Sequence, residues 1–287
     1  MATKKCFLAQ VVFGLCVILL FGNLAQAETI NCTPIPSLPW TITTQGIHCL
    51  TSDLTTAMTS GEAITINTNN VVIDLNGHKI GGLGAGPSTT AYGIYAFQRQ
   101  NITIRNGTVR GFYIGINLSD PISPYATSQG HIVEDIRADM NTFYGIAVSG
   151  RGNIVRNNQV VDTGGSSNSS AVFGIQVAGP GNRVINNDVY ETKGDLYSYG
   201  IYAVNAPGVV IANNRVGNAE LGSGTSYGVL INFSDNAMAK DNTSSVMTYG
   251  IRFTNSNSGL YMNNLASGCT NPFLGGSAAG STNYSVP

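Results

Sequence analysis

One phrase recurs along this chain and constrains it more than any other feature. An aromatic residue is followed by glycine, a branched apolar residue, any residue, and another apolar residue. It stands at Tyr92-Gly93-Ile94, Tyr144-Gly145-Ile146, Phe173-Gly174-Ile175, Tyr199-Gly200-Ile201, Tyr227-Gly228-Val229 and Tyr249-Gly250-Ile251. Ile114-Gly115-Ile116 is the same phrase without its ring. The glycines lie 22, 30, 29, 26, 28 and 22 residues apart. Each copy is followed by a short apolar run ending in Asn106, Asp135, Asn157, Asn186, Asn213, Asp241 or Asn263, and an earlier run ends at Asn76. A period of this length built from short segments specifies a solenoid, in which each coil leaves its apolar face open until its neighbours cover it.

Within a phrase the alternation has a period of two, which reads as strand. Ile94, Ile116, Ile146, Ile175, Ile201, Val229 and Ile251 then point inward, as do Ala96, Leu118, Val148, Val177, Ala203, Ile231 and Phe253. The residues between them (Tyr95, Asn117, Ala147, Gln176, Tyr202, Leu230, Arg252) form a mixed outer column. Stacking makes the aromatic column a ladder of offset rings. The Asn/Asp column is expected to be an interior ladder at a bend, each amide bonding the next coil. Asp74, Arg105, Glu134 and Arg156 should stack with alternating charge, a structural arrangement. His131 shares a stacked position with Asn153 and Asn182, so it reads as a hydrogen-bonding turn residue rather than a base. His78, after Asn76-Gly77, reads the same way.

The chain opens with a sorting signal. Lys4 and Lys5 precede an apolar run over 6–21, and Ala25-Gln26-Ala27 is a small-x-small cleavage site. The run is shorter than the roughly 20 residues that span a bilayer. The expected organisation is a signal peptide at 1–27, an N-terminal cap at 28–61, repeats at 62–266 and a C-terminal cap or tail at 267–287. Export permits a disulfide, and Cys32 and Cys49 are suitably placed to staple the first turn. Cys269 reads as a small buried hydrophobe, and three scattered thiols with three histidines give zinc no support. Charged residues make up 10% of the chain and the formal net charge is -1, with no basic face, which excludes a nucleic-acid binder.

The segments Asn70-Val71-Val72-Ile73-Asp74-Leu75-Asn76-Gly77-His78, Asn101-Ile102-Thr103-Ile104-Arg105-Asn106-Gly107 and Val184-Ile185-Asn186-Asn187 resemble the right-handed parallel β-helix repeats of exported bacterial proteins, over roughly 62–266. The resemblance implies an all-β solenoid of about eight coils with capped ends. It extends to pectate lyases, polygalacturonases, alginate epimerases and lyases, phage tailspikes and periplasmic accessory proteins of copper-enzyme maturation. The theme it implies is a long polysaccharide lying along the coils. The Asp-Pro-His pattern of the epimerases and the consecutive aspartates of polygalacturonases are absent.

Chemistry is expected where the repeat is interrupted. The stretch from the Asn column to the next phrase grows to 17, 14 and 15 residues after Asn157, Asn186 and Asn213. Three loops, 161–172, 190–198 and 217–226, are therefore expected to project on one side and wall a groove. Asp162 and Glu191 each lie five residues after the column, on neighbouring coils, with Asn218 following, Asp139 nearby, and Asp195 and Glu220 within the loops. Paired carboxylates at coil spacing suit acid–base work with Asp195 nearby, or calcium held by Asp162 and Glu191. Tyr197, Tyr202, Arg215, Asn218 and Glu220 are the candidate ligand-binding residues, Arg215 also facing Asp188. The competing reading is a set of solvated loop charges with an Asp188–Arg215 surface pair. The expected function is an exported, periplasmic or secreted protein that binds or processes a polysaccharide, as a lyase or glycoside hydrolase if it is an enzyme, with calcium a candidate cofactor. The alternative is a non-catalytic periplasmic or surface scaffold, with the 118–130 insertion as a second candidate surface.

Overall fold

The computed structural model describes residues 31–120, 125, 127–278 and 282–286. The expected signal segment lies outside the described residues. Residues 31–287 form one compact unit. Every strand pairing in it is parallel, and each strand pairs with its counterpart one coil away. One sheet of ten strands carries the glycine phrases. The second, of nineteen strands, carries the Asn runs, most coils contributing two short arms separated by a bend. The sole helical element among the described residues is the short turn Leu83–Ala85, and no described helix is long and apolar enough to cross a membrane.

The inward columns are as the parity requires. Ile94, Ile116, Ile146, Ile175, Ile201 and Val229 are wholly buried, with Leu118, Val177, Ala203 and Ile231 beside them. The recurring glycine has a steric cause. A Cβ on Gly115, Gly174 or Gly228 would lie 2.5–2.6 Å from the carbonyl oxygen of the next coil's glycine. Only a residue without a side chain lets consecutive coils approach this closely. The rings preceding these glycines stack at 4.5 Å (Tyr144–Phe173), 4.6 Å (Phe173–Tyr199), and 5.1 Å (Tyr199–Tyr227 and Tyr227–Tyr249). Arg252, from the outward column, lies 4.5 Å over Tyr249, so the ring stack runs along the outer side of its sheet.

The Asn/Asp column is displaced from its expected place. Asn76, Asn106, Asp135, Asn157, Asn186, Asn213, Asp241 and Asn263 all have left-handed backbones, φ 50–59°. All but the half-buried Asn76 are exposed. A left-handed residue turns the strand and resets its parity, so the following side chain points inward. The interior ladder is therefore Asn158, Asn187, Asn214, Asn242 and Asn264, one residue later. In each of these the backbone N–H and side-chain amide donate to the next Oδ1: Asn187 to Asn214 at 2.9 Å for both, and Asn214 to Asn242 at 3.0 Å for both. The same amides donate to carbonyls such as Val184 O at 2.9 Å, which satisfies buried backbone at the bend.

Asp74–Arg105 at 3.0 Å and Glu134–Arg156 at 2.6 Å form the alternating ion pairs across adjacent strands. The ladder runs past both expected cap boundaries. Trp40–Ile42 pairs with Glu62–Ile66, and Asn271–Leu274 and Tyr284–Val286 continue the stack at the other end. The glycine-phrase sheet consequently has ten strands, against the eight coils expected. Cys32 and Cys49 form the disulfide. Cys269 is half-buried rather than buried.

Candidate functional site

Each coil bends a third time before re-entering the ten-stranded sheet. Gly111, Met140, Asp162, Glu191, Val246 and Gly268 have left-handed backbones there, φ 52–75°. Register pairs Val161 with Tyr190 and Thr163 with Thr192, so Asp162 and Glu191 occupy the same position on adjacent coils. The three insertions do not project as free loops. Ala171, Tyr197 and Thr225 pair in register, so the insertions lengthen the strands Ala171–Ala178, Tyr197–Val204 and Thr225–Asn232 to eight residues. Short connections at 165–170, 194–196 and 218–224 are what remain.

The first connection folds back along the stack. Ser167 N donates to Pro87 O at 3.2 Å and Asn168 Nδ2 to Ser88 O at 3.0 Å, residues 80 positions earlier. It thereby straps the coils of Gly111 and Met140. Four cavities follow one another along this bend. The first, about 510 Å³, is lined by Lys79, Leu83 and Arg110. The second, about 320 Å³, lies between Leu83, Pro87, Met140, Thr142 and Asp162. The third, about 200 Å³, is bounded by Asp162, Glu191 and Lys193, and the fourth, about 170 Å³, by Lys193, Asp195 and Ser198. Each shares a lining residue with the next, so they form a groove on the order of 25 Å long, parallel to the stacking direction.

Glu191 is already satisfied. It pairs with Lys193 and accepts the Ala219 N–H at 2.5 Å. Burial pushes its carboxyl up, but Lys193, the Ala219 N–H and the Tyr190 hydroxyl outweigh burial and hold it below the usual range. Lys193 is raised, chiefly by its hydrogen bond to Glu191. Asp162 is exposed and has no hydrogen-bond or ion-pair partner among the described residues. Glu220, 3.9 Å from Lys193, has an outlying exposed side chain, and Asp195 lines the fourth cavity.

Other expected site residues lie elsewhere. Asn218 is 4% exposed and its Oδ1 accepts the Thr192 N–H at 3.1 Å, so it is an interior residue of the third bend. Tyr197 and Tyr202 join the ring stack, 6.2 and 5.1 Å from Tyr199, on the other sheet. Burial pushes the Tyr199 hydroxyl up to about 12, so it stays protonated. Arg215 pairs with Asp188 at 2.9 Å beside a separate cleft of about 420 Å³, with Gln159, Tyr190 and Thr243. Asp139 is nearly buried between Arg110 and Arg137, each at 3.4 Å.

Lys193 lies two residues beyond Glu191 on one strand, and period-two parity alone places them on one face. Met140 and Thr142 were legible only through the bend shared with Asp162.

Residues 121–124 and 126 of the 118–130 insertion lie outside the described residues, and the residues beside them hold a buried cluster. Asp120 accepts the Ser128 N–H at 2.9 Å, and Ser128 Oγ lies 2.6 Å from His131 Nε2. Nδ1 accepts the Ile102 N–H at 3.2 Å, so the ring proton sits on Nε2. Burial lowers His131 to about 4. Ser128 and His131 are at most 1% exposed. A buried neutral histidine whose Nε2–H donates a hydrogen bond to a buried serine hydroxyl acts as a turn constraint.

A family model described as "Periplasmic copper-binding protein (NosD)" matches residues 166–286. No curated protein matches the chain. Among solved structures, pectate lyase Pel9A aligns over 83% of this chain and 69% of its own, at 16% identity and TM-score 0.56. The A-module of the Azotobacter vinelandii mannuronan C-5 epimerase AlgE4 aligns over 86% and 83%, at 15% identity and TM-score 0.51. The chain is a right-handed parallel β-helix repeat protein. In this β-helix the residues matched to the copper-binding family include no histidine. Its half-buried Cys269 thiol donates to the Ser267 and Ser244 carbonyls, and burial pushes its pKa up. No group of three or more His, Cys, Asp or Glu converges among the described residues. These residues do not fit a copper site. The Asp162–Glu191 pair fits calcium no better, because the Lys193 ammonium already occupies the Glu191 carboxylate.

Proposed function

We propose that this β-helix is exported and binds a linear polysaccharide along the third-bend groove, without turning it over. The carrying observation is the alignment of four cavities across seven coils, each sharing a lining residue with the next, which matches an extended polymer better than a compact ligand. Export is supported by the Lys4-Lys5 signal pattern and by the periplasmic description of the matching family. Polysaccharide as the ligand class is supported by the pectate lyase and mannuronan epimerase that share its fold. Catalysis is disfavoured at the paired carboxylates. A general acid needs a carboxyl whose pKa is raised, and Glu191 is shifted the other way.

Calorimetric titration with hexasaccharides of neutral, amino and uronic sugars, with calcium and with chelator, tests the proposal. Binding that survives the chelator and falls at least tenfold in Met140→Trp, which fills the groove from an exposed position, is the expected result. Absence of binding across the panel, or binding indifferent to Met140→Trp, overturns it. The family match to 166–286 favours a second reading, a periplasmic accessory protein with no glycan ligand, and the empty panel is its outcome.

A further inference from the structure

The strapped part of the groove carries chemistry that selects among polysaccharides. This inference rests on the groove being the binding surface and concerns what sugar it accepts. Beneath the strap the walls are Leu83, Pro87 and Met140, with Thr142 and Asp162 as the polar side chains. Thr142 is 8% exposed and its hydroxyl has no hydrogen-bond partner. Asp162 is the one charged side chain lining this cavity. The Thr142 hydroxyl is itself buried away from the cavity surface, so the Asp162 carboxylate between apolar walls is the group that a ligand carrying a hydrogen-bond-donating cation would meet.

The cations along the groove are all committed. Lys79 pairs with Asp53 at 3.0 Å, Arg110 with Asp139 at 3.4 Å while also donating to Met140 Sδ at 2.9 Å, and Lys193 with Glu191. Among the described residues, no cation lines the strapped cavity itself, whereas the Asp162 carboxylate does. A uronate chain passing beneath the strap would bring its own carboxylates against Asp162, uncompensated.

We infer that this subsite takes an amino sugar, whose ammonium pairs with Asp162 as the polymer passes beneath the strap. A charge-assisted pair of this kind in a partly enclosed site contributes on the order of tenfold in affinity. The ligand class is thus a linear glycan with free amines, in contrast to the polyuronides named for the neighbours in fold.

The test compares three probes of equal length on the full chain: a glucosamine hexamer, its fully N-acetylated form, and a galacturonate hexamer. The expected order is glucosamine about tenfold tighter than the N-acetylated hexamer, and galacturonate weakest. Asp162→Asn should abolish the preference between the first two, bringing the glucosamine hexamer down to the affinity of the N-acetylated one. Asparagine is well suited to this left-handed position, as the neighbouring bend demonstrates, so the variant keeps the fold. Equal binding of the first two probes, unmoved by Asp162→Asn, overturns the amine assignment while the groove reading stands. Tightest binding of galacturonate overturns it as well. No binding of any probe overturns both.

Discussion

The second and third bends of each coil meet the same backbone demand with different residues. Both turn through a left-handed residue followed by an inward side chain, except that at the third bend the coil of Gly217 and Asn218 turns inward without one. At the second bend the turning residue is Asn or Asp in eight coils, and an unbroken asparagine ladder runs behind it from Asn158 to Asn264. At the third bend the turning residues include Met140, Asp162, Glu191 and Val246, and the inward residues are Phe112, Asn141, Thr163, Thr192, Asn218 and Met247. The hydroxyls of Thr163 and Thr192 have no hydrogen-bond partner there. One bend is optimised for stacking. The other gives up local stability, and it is the one that holds the groove, as strained and imperfectly satisfied positions at functional sites often do.

The largest effect that sharpens this contrast is expected within the ladder. Asn214→Ala leaves the buried Asn187 N–H without its acceptor, takes one of three acceptors from the Asn187 amide and removes the side-chain donor to the Val184 carbonyl. A loss of about 3 kcal/mol is expected, read as a shift in the urea midpoint. A loss below about 1 kcal/mol would mean that the ladder does not stabilise the stack.

A smaller effect of opposite sign is expected at the third bend. Val246 is β-branched and has φ 55°. Val246→Asn should raise stability by about 1 kcal/mol, since asparagine adopts the left-handed region at less cost. Destabilisation in the same urea experiment would show that this bend carries no removable strain.

The smallest concerns pH. The folded carboxyl of Glu191 is held below its usual range, so its stabilisation is present above the unfolded value of about 4.3 and lost as pH falls through the folded value. Wild type should therefore lose more stability than Glu191→Gln between pH 6 and pH 3, by less than about 1 kcal/mol because the pair is partly solvated. Parallel pH profiles would mean that Lys193 contributes nothing at this bend.

Much of this contrast could be read from the chain before any coordinates. The Gly93-to-Gly250 spacing and the apolar columns beside it dictated a parallel stack, because period-two alternation leaves one way to bury both columns. The register of Asp162 with Glu191 followed from equal distances to Asn157 and Asn186. The ladder was misplaced by one residue because the left-handed φ at Asn186 and its equivalents resets parity, which periodicity alone does not encode. Tyr197 was grouped with the groove because the strand extension through Ala171, Tyr197 and Thr225 has no mark in composition, whereas the place of Tyr202 on the outer face of the glycine-phrase sheet was legible from parity. The strap from Ser167 and Asn168 to Pro87 and Ser88 spans 80 residues and no local pattern announces it.

Hydrogen-exchange protection of the full chain by a glucosamine hexamer tests the central claim most directly. The account predicts protection at residues 83–89, 140–142, 162–168 and 191–195, with the ring-stack strands Tyr197–Val204 and Thr225–Asn232 unchanged beyond their first residues. Protection centred on Tyr199, Tyr202 and Tyr227, or none at the strap, would contradict it.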